Sequence, residues 1–445
     1  MHRVDVAVVG LGISGLVALN DLAGGGITTV GIDARPRIGG RTHRITTDSG
    51  FSFEAGGEFL KPAHTRIRAL MATLGVPTLP MVFEGSPVTV EAGVRSEGGD
   101  AFADRPAARA EYRAAQALFA DLAASVVVGA IHTTVDAAQL DSMSVSQWAA
   151  TVAADPRVRE RLVRDIVSGL GGPGADLSLL VALGYAAASL PVAGETVHPS
   201  ERVAGGGFAI AEALAARLPV GSLALGSAVT RVQLEDDGVQ LTGPGLDVHA
   251  GSVILAMSPK LLRGIQFYPP LPAATASLID GWQQAYGCKS FVVYPTPWWR
   301  DRGLSGLAMG DLPVRSVIDL SPADGSVGIL LAETHPSSDP AANPTDEQQR
   351  ALVLAGVAEY LGETSEPVLH FGAFSWPSDP LAGGCGSPLP PRLITTFGEA
   401  LGEPVGAIHF AGTETSDVGW GSMEGAVRAG QRAAAEVLAT IRPMQ

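Results

Sequence analysis

The chain has 445 residues, 46% hydrophobic and 17% charged. That is enough for two or three domains, or one large two-domain enzyme with a full-sized core. A net charge of −15 argues against a nucleic-acid partner, which needs a basic stripe, yet it points to no cationic substrate, because acidity by itself only aids solubility. Two cysteines, Cys288 and Cys385, make neither a disulfide framework nor a CxxC site, so a reducing cytoplasm is the expected location. The nine histidines show no metal-ligand spacing, and no metal is expected.

Residues 4–23 (VDVAVVGLGISGLVALNDLA) are apolar enough to imitate a signal peptide. They lack a small-residue cleavage site, and their glycines are patterned. No later stretch reaches the roughly 18–20 uncharged apolar residues of a membrane span, and the chain ends at IRPMQ without a hydrophobic tail. No membrane association is expected.

Val4–Val9 (VDVAVV) has the form of a buried parallel strand. A GxGxxG follows at Gly10, Gly12 and Gly15, then a helix over Leu16–Leu22 and a second strand over Thr28–Ile32 that ends in Asp33. Gly10 allows the tight turn and Gly12 lets backbone approach a pyrophosphate. Gly15 lets helix and strand pack closely, and the helix N-terminus faces the phosphate charge. The acid about 20 residues on is placed to accept from an adenosine ribose. NAD and FAD share this fingerprint. The continuation DARPRIGGRT (Asp33–Thr42) adds two glycines, Gly39 and Gly40, and three arginines, a cationic second contact suited to a longer dinucleotide. FEAGGEFLKP (Phe53–Pro62) then brings the close-approach pair Gly56 and Gly57, suited to lying against a flat ring.

Residues 100–165 are Ala- and Arg-rich with helical spacing. RVAGGGFAIAEAL (Arg202–Leu214) is a glycine turn entering a helix, followed by LALGSAVTRVQL (Leu223–Leu234) and SVILAMSP (Ser252–Pro259). YGCKSFVVY (Tyr286–Tyr294) sets one lysine, Lys289, in an apolar strand before PWWR. A strand-edge lysine facing solvent is the plain alternative. PSSDPAANPT (Pro336–Thr345) is a surface loop before a helix beginning near Asp346. IHFAGTET (Ile408–Thr415) and SMEGAVRAG (Ser422–Gly430) close the chain with a strand, a glycine turn and a helix.

These motifs together resemble the flavin-containing amine oxidases, the family of monoamine and polyamine oxidases, over almost the whole chain. The resemblance implies an α/β fold with a discontinuous Rossmann-type FAD-binding domain (1–75, 201–264 and 386–445). It also implies an α+β substrate domain (76–200 and 265–385), with the helices of 100–165 over the substrate cavity. It implies FAD held by Gly10, Gly12, Ser14, Gly15, Asp33, Arg35, Gly40, Arg41, Gly56, Gly57, Val229, Trp376, Gly412, Thr413, Glu414 and Met423. The family's usual acid is glutamate; Asp33 is shorter but keeps the acceptor. Trp376 stands where a tryptophan flanks the flavin, though a core aromatic explains it equally. Lys289 matches the lysine that holds a water against the flavin and is implicated in its reoxidation. Cys385 stands where some members carry a thioether to the flavin and others a small residue without one; both remain open.

The chain departs from the family at the two aromatic rings that hold the substrate nitrogen. Gly386 and Ser422 occupy their places, which is expected to open space, with Trp420 supplying one wall. Phe59 and Lys61 complete the expected substrate pocket, and Glu58 and Lys61 are unusual polar residues there; Lys61 suits a substrate carboxylate, and a surface loop suits both equally. The expected reaction is oxidation of an amine to an imine with O2 reduced to hydrogen peroxide, the substrate being other than a simple monoamine. Two alternatives are an oxidase or desaturase of an amino acid or natural-product intermediate, and a non-catalytic flavin-binding protein. A small-molecule amine and O2 are the expected partners, and a homodimer is allowed for.

Overall fold

The computed structural model describes residues 2–102, 104–172, 174–189, 201–285, 287–334 and 344–440. The apolar N-terminal run forms the strand His2–Val9, set inside an eight-stranded sheet. Thr29–Ile32 and then Leu223–Ala224 lie to one side and Leu246–Ala256 to the other, all parallel. Val6, Ala7 and Val8 are fully buried, as expected of a parallel strand covered on both faces.

The strand Leu246–Ala256 explains how distant parts of the chain meet. Its first half pairs antiparallel with Gly238–Gly243, which leads on to Arg231–Glu235 and Gln266–Tyr268. Its second half pairs parallel with Ile408–Ala411. The beginning, middle and end of the chain therefore share one sheet. The helices Ile13–Gly24, Thr65–Leu74, Phe208–Ala215 and Met423–Thr440 cover it with one apolar cluster. Leu16, Leu19 and Leu22 are fully buried there, each contributing about 2 kcal/mol. Helices Ile13–Gly24 and Met423–Thr440 touch backbone to backbone, because a Cβ at Gly430 would lie 2.3 Å from the Ser14 carbonyl oxygen.

A seven-stranded sheet forms the second unit, in the order His370–Ser375, Cys288–Tyr294, Gly328–Thr334, Val314–Asp319, Leu304–Gly310, Ser86–Glu91, Val94–Glu97. Leu304–Gly310 runs parallel to Ser86–Glu91, and the other pairs are antiparallel. The helix Asp346–Leu361 starts at a Thr345/Gln348 capping box and packs into this sheet's core. The helical spacing over 100–165 is realised as Pro106–Ala124, Ala137–Asp141, Val145–Val152 and Pro156–Val167. With Leu179–Ser189, most of these gather around Trp148 and Trp282. Most of the loop read over Pro336–Thr345, and Tyr286, lie outside the described residues. A Rossmann-type unit built from separated segments, joined to an α+β unit, is the expected architecture and the observed one. Among the described residues no helix is long and apolar enough to cross a membrane.

Candidate active site

The glycines after the first strand are fixed by contacts. Gly10 has φ +98° and Gly40 φ +57°. A Cβ at Gly15 would fall 1.9 Å from the Gly10 carbonyl oxygen, which no side chain survives. Gly39 N–H donates to the Leu11 carbonyl (2.8 Å), so the second glycine pair lies against the first. Asp33 is buried, and its carboxylate accepts from the N–H groups of Leu11 and Arg35, both at 2.8 Å. The Ser227 N–H donates to the Asp33 carbonyl (2.8 Å), which brings the 224–229 segment alongside. Among the described residues the Val229 backbone N–H and C=O make no hydrogen bond, although the side chain is buried. Arg35 is pinned by both oxygens of Asp379 at 2.9 Å.

The C-terminal motif closes on the same cradle. Gly412 N–H donates to Ser14 Oγ (3.0 Å), and Thr413 Oγ1 donates to the Ser422 carbonyl (2.8 Å). Arg41 pairs with the buried Glu414, Nη2 to Oε2 at 2.9 Å, and donates to the Cys385 carbonyl at 3.3 Å. Burial works against the Arg41 charge, but Glu414 outweighs it and raises the guanidinium pKa. Glu414 Oε1 lies 2.8 Å from Nη1 but lacks hydrogen-bond alignment and, among the described residues, remains a buried acceptor without a hydrogen-bond partner. A Cβ at Gly56 would sit 1.8 Å from the Arg41 carbonyl oxygen, and one at Gly57 would sit 3.1 Å from Met423 Cγ. The glycine pair is thus wedged between the GGRT segment and the start of the last helix. Trp376 is buried and donates to the Ala55 carbonyl (2.9 Å), buttressing that pair from behind.

The path from Val229 through Asp33, Gly12, Gly40, Arg41 and Cys385 to Gly57 and Met423 is continuous. It offers in turn open backbone groups, a buried acid, glycine backbone at a helix N-terminus, a cation and a second helix N-terminus. Such a path fits an elongated dinucleotide with a flat terminal ring.

Lys289 reaches this path from the other sheet. Its Nζ donates to the Gly56 carbonyl (2.8 Å) and to Glu58 Oε1 (3.0 Å), and lies 5.0 Å from the Phe59 ring centre. Glu58 is buried, so the surface-loop alternative for this acid does not hold, and the lysine is no solvent-facing edge residue. Across the sheet Lys289 stands opposite Glu333 and Phe374. Burial opposes its charge, but Glu58 and then Glu333 overcome that and raise its pKa.

Cys385 carries a free thiol whose pKa burial pushes up, against the pull of Arg41 and Lys289. The next residue corrects an expectation. Space does not open at Gly386: a Cβ there would lie 2.1 Å from the Leu170 carbonyl oxygen and 3.0 Å from the Ala285 Cβ. A neighbouring loop fills the place. Ser422 is likewise occupied, donating to the Gly419 carbonyl (2.5 Å) and accepting from Gly425 N–H (3.2 Å), so it caps the last helix. Trp420 donates to the Ser416 carbonyl (2.5 Å) and packs into the helical cluster around Trp148. Lys61 is partly buried, with its Nζ 5.5 Å from the ring centre of Tyr185.

Three residues at the site were not singled out from the sequence. Glu54 is buried and gathers the N–H groups of His43, Gly56 and Phe208. Glu333 is the one acid in the apolar run Gly328–Thr334, a signal comparable to that of Lys289. Leu170 contributes only a carbonyl, for which no sequence signal exists. Away from the site, Glu235, Asp237 and His249 gather with their ligand atoms within 4.8 Å of one another, a grouping that histidine spacing alone does not reveal. Asp237 is also paired with Arg3 at 2.8 Å.

A family profile for flavin-containing amine oxidoreductases matches residues 13–438. A Mycobacterium tuberculosis protein provisionally named as a flavin-containing monoamine oxidase is 34% identical over 98% of this chain and 97% of its own length. An alanine-to-cysteine variant of putrescine oxidase, solved in a redesign of cofactor binding, superposes with TM-score 0.91 at 30% identity, covering 99% of this chain and all of its own. Cyclohexylamine oxidase from Brevibacterium oxydans superposes with TM-score 0.89 at 29% identity over 98% of both chains. The chain belongs to the flavin-containing amine oxidoreductases and is an FAD-dependent oxidase that takes a hydride from the carbon next to an amine, giving an imine, and reduces O2 to hydrogen peroxide.

Proposed function

We propose that FAD lies along the path just described. In this reading Val229 meets the adenine through its backbone and Asp33 the ribose. Gly10, Gly12, Ser14, Gly15, Arg35, Gly40 and Arg41 surround the pyrophosphate; Gly412, Thr413 and Glu414 form the ribityl turn. Gly56, Gly57, Trp376, Cys385 and Met423 surround the ring. Residues 1–75, 201–264 and 386–445 then make the FAD-binding domain, with Gln266–Tyr268 at the edge of its sheet. Residues 76–200 and 265–385 make the substrate domain. When bound, the flavin supplies the two-electron acceptor.

The observation that carries this reading is the Lys289 Nζ bond to the Gly56 carbonyl, because it ties the second sheet to the glycine pair. Lys289 keeps its proton between Gly56 and Glu58 and holds a fixed positive charge in a partly buried place. Such a charge stabilises the negative charge that O2 acquires as it is reduced. Gly386 and Ser422 leave the substrate nitrogen without the two flanking rings, and this supports a substrate other than a simple monoamine. Phe59, Lys61 and Trp420 are the remaining walls in this reading.

Cys385 is proposed to carry the flavin covalently. Its carbonyl accepts from Arg41, and the Arg41 carbonyl oxygen lies against Gly56, which sets Cys385 beside the glycine pair and supports the reading. The two cysteines are not joined in a disulfide, which suits a reducing cytoplasm. The test is to purify the protein, precipitate it with acid and follow the colour. Yellow in the pellet supports the thioether, and yellow in the supernatant overturns it. Peroxide release over a panel of primary, cyclic and carboxylated amines tests the substrate reading; fastest turnover of a simple monoamine overturns it.

A further inference from the structure

Most cations near the site have a carboxylate partner. Arg35 has Asp379, Arg41 has Glu414, Arg68 has Glu201, Lys289 has Glu58 and Arg300 has Asp319. Lys61 has none within ion-pair reach among the described residues. Its backbone is firmly held: the N–H donates to His64 Nδ1 (3.2 Å), and the carbonyl accepts from His64 N–H (3.0 Å) and Arg68 Nε (3.4 Å). Its ammonium is partly buried above the Tyr185 ring, and burial lowers its pKa with no acid opposing it. An ammonium drawn from water without a counter-charge is costly, and the ring offsets only part of that cost. The Tyr185 hydroxyl also makes no hydrogen bond among the described residues.

Contacts place this pair between two landmarks. On one side, Lys61 follows Phe59 by two residues, about 7 Å of extended chain, and the Phe59 ring faces Lys289. On the other, the Tyr185 ring is closely packed on Gly169, where a Cβ would meet it at 2.3 Å. Leu170 comes next, and its carbonyl oxygen closes the space at Gly386, which adjoins Cys385. The contacts thus link Lys61 to Lys289 by way of Phe59, and Tyr185 to Cys385 by way of Gly169, Leu170 and Gly386, and the Lys61–Tyr185 contact joins the two around common ground.

Resting on the reading of that ground as the substrate site, we propose that Lys61 and Tyr185 form an anion subsite and that the substrates are amines which also carry a carboxylate. The ammonium supplies the charge and the phenol a second donor. A diamine is the disfavoured class, because its second cation would meet Lys61.

The experiment uses the FAD-loaded protein and matched substrates: L-phenylalanine against phenethylamine, L-leucine against isoamylamine, and 6-aminohexanoate against hexylamine and 1,6-diaminohexane. Peroxide release gives kcat and KM for each. The wild type is expected to favour the carboxylated member of at least one pair, and the winning pair locates the carboxylate relative to the amine. Lys61→Met is expected to cut that preference about thirtyfold or more, mainly through KM, and Lys61→Arg to retain most of it. A wild type that favours the plain amine in every pair overturns the proposal, as does an unchanged ratio in Lys61→Met. If no compound turns over, the reading of the substrate site fails separately. Titration with benzoate, followed through the flavin absorbance, then still decides on Lys61: weaker binding to Lys61→Met supports the subsite, and equal binding overturns it.

Discussion

Glu58→Gln tests the electrostatic arrangement at the site most directly. Glu58 is 3% exposed and Lys289 14%, with 3.0 Å between their charged atoms, and Arg202 Nη1 approaches the other carboxylate oxygen at 3.9 Å. Removing one partner of a buried pair costs about 3–5 kcal/mol, because the remaining charge is left without compensation. Here Lys289 keeps the Gly56 carbonyl and the field of Glu333, and glutamine keeps an acceptor, so a loss of about 2–3 kcal/mol is expected. The functional effect has a definite sign. Burial lowers the Lys289 pKa and Glu58 is the largest opposing contribution, so the variant loses the Lys289 proton at lower pH. Stopped-flow mixing of anaerobically reduced enzyme with O2 across pH reads this directly. The pH limb governed by Lys289 should move to lower pH in Glu58→Gln, and denaturant unfolding should show the stability loss. A stability loss with an unmoved limb would make Glu58 a packing residue; no change in either would refute the pair.

Three further outcomes are expected. Lys289→Met should retain FAD but slow reoxidation by O2 about tenfold to a hundredfold; near-wild-type peroxide release would remove Lys289 from the mechanism. Gly386→Ala should lower stability by about 1–3 kcal/mol, since its Cβ would fall 2.1 Å from the Leu170 carbonyl oxygen; an unchanged melting temperature would show that the Leu170 loop yields freely. Burial lowers His43 and His64 from 6.5 to about 4, with nearby arginines adding to it at His43, and with Glu424 opposing it and Lys61 and Arg68 adding to it at His64. Between those pH values the unfolded chain binds more protons than the folded one, so stability is full above about 6.5 and is lost as pH falls toward 4. Thermal melts should follow that slope, and His64→Gln should flatten it.

The cofactor frame was legible because its signals are local. Strand, glycines, helix and acid occupy one stretch, and contacts dictate the individual glycines: Gly10 by its positive φ, Gly15 by the Gly10 carbonyl, Gly56 by that of Arg41. Lys289 was legible because a lysine in an apolar strand needs a reason. Its partner was not assigned, since Glu58 lies 231 residues away and their meeting depends on how the two sheets join. Glu54 looked like an ordinary strand residue until three N–H groups from separate segments met on it. Gly386 and Ser422 carry no ring, but the open space expected from that is not present at Gly386. A glycine says only that no side chain is there. Whether the room stands empty is decided by backbone from elsewhere, here the carbonyl of Leu170.

The two lysines flanking Phe59 have opposite electrostatic settings, and together they imply a direction for the substrate. Lys289 is matched by Glu58 and faces Glu333, so these carboxylates offset much of the repulsion its charge exerts on an arriving ammonium. Lys61 has no such match among the described residues, so its surroundings repel an ammonium and attract an anion. A molecule carrying both charges would therefore settle with its nitrogen toward Lys289 and Cys385 and its anionic group toward Tyr185. Gly386 and Ser422 carry no ring to orient the nitrogen, and on the proposed subsite the asymmetry between Lys289 and Lys61 does the orienting.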